Sequence, residues 1–374
     1  MEKGIARSLK KYIHLWGWKT PRKLVVFESD DWGSERMPSK KVFYQLKKQG
    51  IPVEDDPYCR YDTRASNQDL DLLYEIMDSF RDHKGNPPAF TVNTIMGNPD
   101  FKKISLDDFK AYSYVASAFP GSFYEGIKNG FIKPQFHGRE HLNVKQWMKA
   151  LRQGDRDALV CFHHGVYGFP TTKKILNRRY DYMANYDVER QEDYDLIEQS
   201  ISQGLKIFGD TFHQRPASAI APCYIWDTPV ENCYHQNGIR YIQGHRFQKI
   251  PVARNGSYRK KFHFTGQKNK FSQLYLVRNC FFEPSFTPDE QNVENCLKRM
   301  HFLFKYNRPV IMATHRVHYI GGLDVQNRDK SLRLFHQLLT RIRHLWPDIE
   351  YLTSEALGHI ISMKNQEPHQ MYVS

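Results

Sequence analysis

Two adjacent carboxylates leave a hydrophobic run at Phe27-Glu28-Ser29-Asp30-Asp31-Trp32-Gly33 and enter a glycine-containing turn. One carboxylate of such a pair can hold a metal ion while its neighbour accepts a proton. Taken alone, Asp-Asp equally fits the capping of a turn or helix, because a short carboxylate accepts hydrogen bonds from nearby backbone N–H groups. Further along, His137-Gly138-Arg139-Glu140-His141 carries two imidazoles four residues apart. On a helical turn that spacing puts both rings on one face. They could then reach one Zn²⁺-like ion at about 2.0 to 2.1 Å, with a carboxylate as third ligand and water in the open position. In a chain of 17 histidines, an isolated pair also fits a surface or capping role. The third feature is the apolar run Pro309-Val310-Ile311-Met312-Ala313-Thr314 followed by His315, with Arg316 and His318 beside it. A histidine at a strand end is placed for proton transfer, although a packed core or turn histidine would read the same way.

These groups need elements to hold them. Short apolar, β-branched runs predict strands over 23–29, 89–95, 131–136, 218–222, 239–243, 274–278, 309–314 and 349–352. Helical periodicity predicts helices over 39–50, 67–83, 144–153, 190–208, 287–306 and 327–345. Thr287-Pro288-Asp289-Glu290 supplies a capping hydroxyl, a proline at N1 and a glutamate at N3 for one helix start. Alternating β-α units give a parallel sheet, and roughly six to eight of them fit a closed or distorted barrel better than an open dinucleotide-binding sheet. No G-x-G-x-x-G or Walker A sequence occurs. All three chemical features fall where predicted strands end, the face of a parallel barrel at which catalytic groups gather. Residues 163–187, rich in Gly, Tyr, Arg and Asn without periodicity, predict a long loop able to overhang a site.

The bulk properties allow a soluble enzyme. The 374 residues are 40% hydrophobic and 25% charged, enough to bury a sizeable core. The formal charge of +13 would draw nucleic acid, an anionic membrane surface or an acidic glycan. Much of it sits in clusters that read as solvated faces: Arg7, Lys10 and Lys11; Lys173, Lys174, Arg178 and Arg179; Arg259, Lys260 and Lys261. Six cysteines, at 59, 161, 223, 233, 280 and 296, form no C-x-x-C pair and are expected to be free thiols. Residues 1–20 contain no run of 7 to 15 apolar residues, so neither a secretory signal nor a membrane span is expected, and the protein is read as cytoplasmic.

A strand ending in Asp-Asp, then H-x-x-x-H, then a late strand ending in histidine, in that order, resembles the polysaccharide deacetylase (NodB-like) family. The similarity runs over 23–357, and the closing Tyr351-Leu352-Thr353-Ser354-Glu355-Ala356-Leu357 looks like that family's end. The resemblance implies an N-terminal extension over 1–22 and, over 23–374, a distorted (β/α) barrel of the NodB-like type. It implies that Asp31, His137 and His141 hold a divalent metal, Zn²⁺ or else Co²⁺ or Ni²⁺, with Asp30 as general base and His315 as general acid. The implied activity is removal of an N- or O-acyl group, acetyl first among them, from a carbohydrate. The positive charge adds an acidic glycan to the expected substrates, and the lack of an expected export signal adds a cytoplasmic glycan precursor or a lipid-linked sugar in place of a cell-wall polymer. Ala221-Pro222-Cys223-Tyr224 looks like the family's Arg-x-Pro-aromatic motif, which implies substrate or oxyanion contacts at Cys223 and Tyr224, with Arg316 and Trp32 beside them.

Departures from the family pattern mark a divergent branch. Ile220 stands where the motif's arginine belongs, so that either Arg139, Arg246 or Arg316 replaces it or the site is altered. Gly138 replaces a usual Ser or Thr, and no tryptophan motif matches. A competing reading is a catalytically silent barrel that binds an anionic glycan or nucleic acid through its basic surface and Trp32, Tyr167, Phe169, Tyr224 and Trp226. Nucleic acid itself is not an expected partner, because aromatic content mostly serves the core.

Overall fold

The computed structural model describes residues 16–176, 179–252, 256–287 and 289–364. Its spine is β1 (Lys23–Trp32), whose Leu24, Val25, Val26 and Phe27 are fully buried. Burial on both sides is what a parallel strand covered by helices requires. Side-chain alternation sends Leu24 and Val26 inward to Tyr241, Leu276, Ile311, Leu357 and Ile361. Val25 and Phe27 face outward, into a cluster with Leu70, Leu73, Phe335 and Leu338. Glu28 and Asp30 continue the inward row, so a polar layer sits above the apolar barrel interior.

The remaining strands are β2 (Phe90–Ile95), β3 (Gly97–Pro99), β4 (Tyr114–Ala116), β5 (Ile132–Gly138), β6 (Ser218–Ile220), β7 (Tyr241–Gly244), β8 (Phe247–Val252), β9 (Ser257–Phe262), β10 (Leu274–Val277), β11 (Cys280–Phe281), β12 (Val310–His315) and β13 (Ile349–Leu352). The main sheet has the order β10-β7-β6-β5-β2-β1-β12-β11, with β13 also pairing with β1. Every pairing in it is parallel. The ends of that order, β10 and β11, are separated in the chain by Arg278 and Asn279 alone. Arg278 N–H donates to the Gly244 carbonyl beyond β10 (2.9 Å), and Asn279 N–H donates to Ile311 on β12 (3.0 Å). One segment therefore spans both edges and curls the sheet into a distorted (β/α) barrel.

Helices Asn67–Asp78, Asp193–Phe212, Asp289–Lys305 and Val325–Leu345 cover the outside, and Leu357 and Ile361 of the closing helix Ser354–Lys364 reach the inner cluster. The predicted helix over 190–208 lies a few residues further on. The predicted helix over 67–83 stops at Asp78. Its start is fixed by a capping box in which Ser66 and Asp69 exchange hydrogen bonds. The antiparallel hairpins β3-β4 and β8-β9 lie outside the predicted elements. β3 is Gly-Asn-Pro and β9 carries three consecutive basic residues, Arg259 to Lys261, so neither contains an apolar run to announce a strand. The capping sequence at 287–290 includes Pro288, and the basic clusters include Arg7, Lys10, Lys11 and Arg178; these positions lie outside the described residues. All six cysteines are free thiols. Among the described residues no helix is long and apolar enough to cross a membrane.

Candidate active site

β1 does not end as an ordinary strand. Its pairing with β2 shifts between Ser29 and Trp32, and Asp31 has a φ of 74°. A left-handed non-glycine residue costs of order 1–3 kcal/mol, held here by the surrounding packing. The kink aims the Asp31 carboxylate at two histidines: Oδ1 lies 3.4 Å from His137 Nε2 and 3.6 Å from His141 Nε2. The expectation that these imidazoles share a helical face is corrected. His137 belongs to β5, Gly138 turns the chain with a φ of 132°, and His141 precedes the helix Val144–Arg152. The turn replaces the helix because glycine alone adopts that φ freely, and the rings still meet, centroids 5.1 Å apart.

The three groups fit a metal ion. Ligand atoms about 2.1 Å from a tetrahedral centre stand about 3.4 Å apart, close to the spacing seen. Asp31 Oδ1 is buried and accepts no hydrogen bond from a described residue, whereas Oδ2 accepts one from Arg36 (3.2 Å). His137 Nδ1 lies 3.0 Å from the Ile220 carbonyl, a contact that leaves Nε2 as the lone-pair donor. Burial lowers the His141 pKa to about 3 against the pull of Asp31, so its ring is neutral, as ligation requires. Burial would raise the Asp31 pKa, but Arg36 and the histidines hold it well below the usual carboxylate range.

Asp30 is gripped from the barrel seam. Arg278 donates through Nη1 to Oδ2 (2.7 Å) and through Nη2 to Oδ1 (2.6 Å), while its Nε donates to Glu28 (2.6 Å). Asn93 Nδ2 adds a bond to Asp30 Oδ1 (2.7 Å). Burial pushes the Asp30 pKa up, yet Arg278 outweighs it and brings it to about 2. Glu28, deeper and sharing the same arginine, is raised by burial. The arginine expected from Arg139, Arg246 or Arg316 is thus Arg278. Arg139 instead pairs with Glu140, and Arg316 with Asp62. Arg278 closes the predicted strand 274–278, so the strand-end rule that singled out His315 could have found it.

His315 ends β12 with Nε2 3.8 Å from Asp30 Oδ2. On its other side Nδ1 meets Glu283 Oε1 at 2.9 Å, and Glu283 also bonds His318 Nε2. Burial works against the charged ring, but Glu283 raises the His315 pKa to about 9. The reciprocal attraction, against the upward push of burial, lowers that of Glu283 to about 2. Glu283 follows β11 in a turn, and nothing local in the sequence pointed to it.

A cavity of about 430 Å³ opens over Asp30, Asp31, His137, His141 and His315. The long loop supplies Phe169, Pro170, Arg179, Tyr180, Asp181 and Met183 to its wall. Cys223 and Tyr224 also line it, both with a φ of 58°. The Tyr224 N–H donates to the Ala221 carbonyl (3.1 Å), and its hydroxyl accepts from Arg278 (3.1 Å). That backbone donor is therefore already engaged. Two residues expected at the substrate lie elsewhere. Trp32 is buried in the core, its indole N–H on Ser29 (2.9 Å), and Arg316 is buried between Asp62 and Ser34. Tyr167 and Trp226 are buried as well, so the aromatic binding face of the competing reading is corrected to core packing, with only Phe169 and Tyr224 at the cavity.

No family model matches the chain, and no curated protein matches its sequence. Among solved structures, a candidate polysaccharide deacetylase from Mycobacterium smegmatis is similar at 9% identity and a TM-score of 0.47, covering 96% of this chain and 97% of that one. A second, from Pseudomonas aeruginosa PAO1, is similar at 9% identity and 0.46, covering 93% of each chain. PuuE allantoinase is similar at 8% identity and 0.47, covering 95% of each. At such identities and scores the chemistry rests on the side-chain geometry.

Proposed function

We propose that this chain is a metal-dependent hydrolase that removes an N- or O-acyl group, acetyl first among them, from a carbohydrate. One observation carries the reading: Asp31 Oδ1, which accepts no hydrogen bond from a described residue, faces two imidazoles while Asp30 and His315, each locked by its own partner, face one another 3.8 Å apart beside it.

Asp31, His137 and His141 would hold a divalent ion, Zn²⁺ or alternatively Co²⁺ or Ni²⁺. When bound, such an ion polarises an acyl carbonyl and acidifies water. Asp30, kept ionised by Arg278, takes the proton from attacking water at its carboxylate. Arg278 fixes both carboxylate oxygens, so the base needs no reorientation during the step. His315, protonated because Glu283 stands behind it, gives its Nε2 proton to the departing sugar amine or hydroxyl. Phe169, Pro170, Arg179, Tyr180, Asp181 and Met183 wall the cavity and limit water around the reacting groups.

The test is elemental analysis of pure protein joined to an acetate-release screen on acetylated sugars and sugar nucleotides. Near-stoichiometric Zn²⁺, Co²⁺ or Ni²⁺, and acetate release abolished in Asp30→Asn, support the reading. Metal-free protein without acyl release refutes it.

A further inference from the structure

Beside the catalytic pocket lies a second cavity of about 690 Å³, lined by His245, Arg246, Phe247, Phe281, Asn295 and Arg299 among others. The two spaces share a wall. Arg278, which grips Asp30, and Glu283, which orients His315, both line the second cavity from behind. A line of rings links the cavities: Tyr224 of the catalytic pocket lies 5.6 Å from His245, which lies 5.8 Å from Phe281.

Among the described residues, charge in this cavity is unbalanced. Arg246 is 8% exposed, and its guanidinium makes no ion pair with a described carboxylate. A buried charge without a partner is costly. The charge that acts on it is that of Arg299, another cation, whose Nε donates to the Asn279 carbonyl (2.6 Å). Burial and Arg299 together lower the Arg246 pKa to about 10, which still leaves it charged at neutral pH. Among the described residues of the cavity wall the one carboxylate, Glu283, is committed to His315 and His318. Around the arginines, Phe247 and Phe281 are 39% and 44% exposed, so two apolar rings face the open space of the cavity.

We propose that this cavity is a subsite for an oxyanion carried by the acylated substrate, a phosphoryl or carboxylate group gripped by Arg246 and Arg299, with the attached ring laid against His245 and Phe281. A planar guanidinium fork matches either oxyanion with paired hydrogen bonds. The inference deepens the proposed function by giving its substrate class, and rests on that reading for the bound group being part of a substrate. Binding of the oxyanion itself does not depend on it.

The experiment titrates full-length protein calorimetrically with phenyl phosphate, benzoate and, as a neutral control, benzyl alcohol. Each titration is run on metal-loaded protein and on protein stripped with a neutral chelator that is then removed. Phenyl phosphate or benzoate, whichever matches the natural group, binds equally in both forms, and benzyl alcohol binds at least tenfold more weakly. Arg246→Gln weakens the anion at least tenfold, and Arg246→Lys falls between. Phe281→Ala, at an exposed position that the fold tolerates, weakens phenyl phosphate more than inorganic phosphate. Anion affinity unchanged in Arg246→Gln and Phe281→Ala overturns the subsite, as does affinity lost on stripping, which would place the anion on the metal. Acetate release from acetylated sugars, measured in parallel, separates the two claims. Release with no effect of Arg246 on anion binding leaves the hydrolase and removes the subsite, and the reverse result does the opposite.

Discussion

Arg278 closes a two-pronged grip on both carboxylate oxygens of Asp30 while its third nitrogen holds Glu28, and neither the guanidinium nor Glu28 is exposed. The grip exists because residues 278–279 join β10 to β11, the two ends of the sheet order, and bond across to β7 and β12. Catalytic orientation and barrel closure thus share one residue.

Arg278→Met should therefore destabilise the fold as well as the chemistry. It leaves two carboxylates in the interior without their cation, at a cost of about 3–5 kcal/mol. Urea unfolding measures this. Arg278→Lys should keep much of the stability but lose the two-pronged geometry, giving a lower kcat than wild type at similar stability. Equal stability of the wild type and Arg278→Met would show that the ion pairs are dispensable.

Metal retention should depend on the carboxylate and both rings together. Asp31→Asn, His137→Ala and His141→Ala are each expected to lose bound divalent metal by mass spectrometry of dialysed protein. Asp30→Asn should keep it, because Asp30 is turned to Arg278, and should lower acyl release by about 10²–10⁴-fold, the usual contribution of a general base. Metal lost equally from all four variants would argue for a collapsed site.

The basic limb of the pH profile should report the His315–Glu283 pair. His315 is raised to about 9 by Glu283, so the acid is protonated at neutral pH and lost as pH rises through that value. Its pairing stabilises the fold fully below the unfolded imidazole value of about 6.5, and that contribution disappears as pH rises through about 9. Glu283, lowered to about 2, contributes stability above the unfolded value of about 4.3 and loses it as pH falls through about 2. Glu283→Gln should move the basic limb of kcat/KM to lower pH. An unmoved limb would assign it to another group.

Gly138→Ala should be disproportionately harmful for one methyl group. At a φ of 132° an added Cβ would meet Asn185 Nδ2 and the Glu140 carbonyl, each at 3.1 Å. The strain should cost more than about 1 kcal/mol and shift His137 relative to His141, read as a lower Tm and weaker metal retention in the same variant. A Tm and metal content matching wild type would show that the turn can relax.

Sequence by itself determined the alternating elements and placed Asp30, Asp31 and His315 at the ends of apolar runs, because β-branched apolar runs and helical periodicity are local properties of the chain. It also singled out His137 and His141, though for a helical spacing that the structure replaces with a strand and a glycine turn. Only the tertiary structure decided which arginine holds Asp30, which acid stands behind His315, and that Trp32 and Arg316 belong to the interior. Those are pairings between residues about 30 to 250 positions apart. Their partners are chosen by barrel closure and by the cost of burying a charge alone, and no stretch of neighbouring residues contains that information.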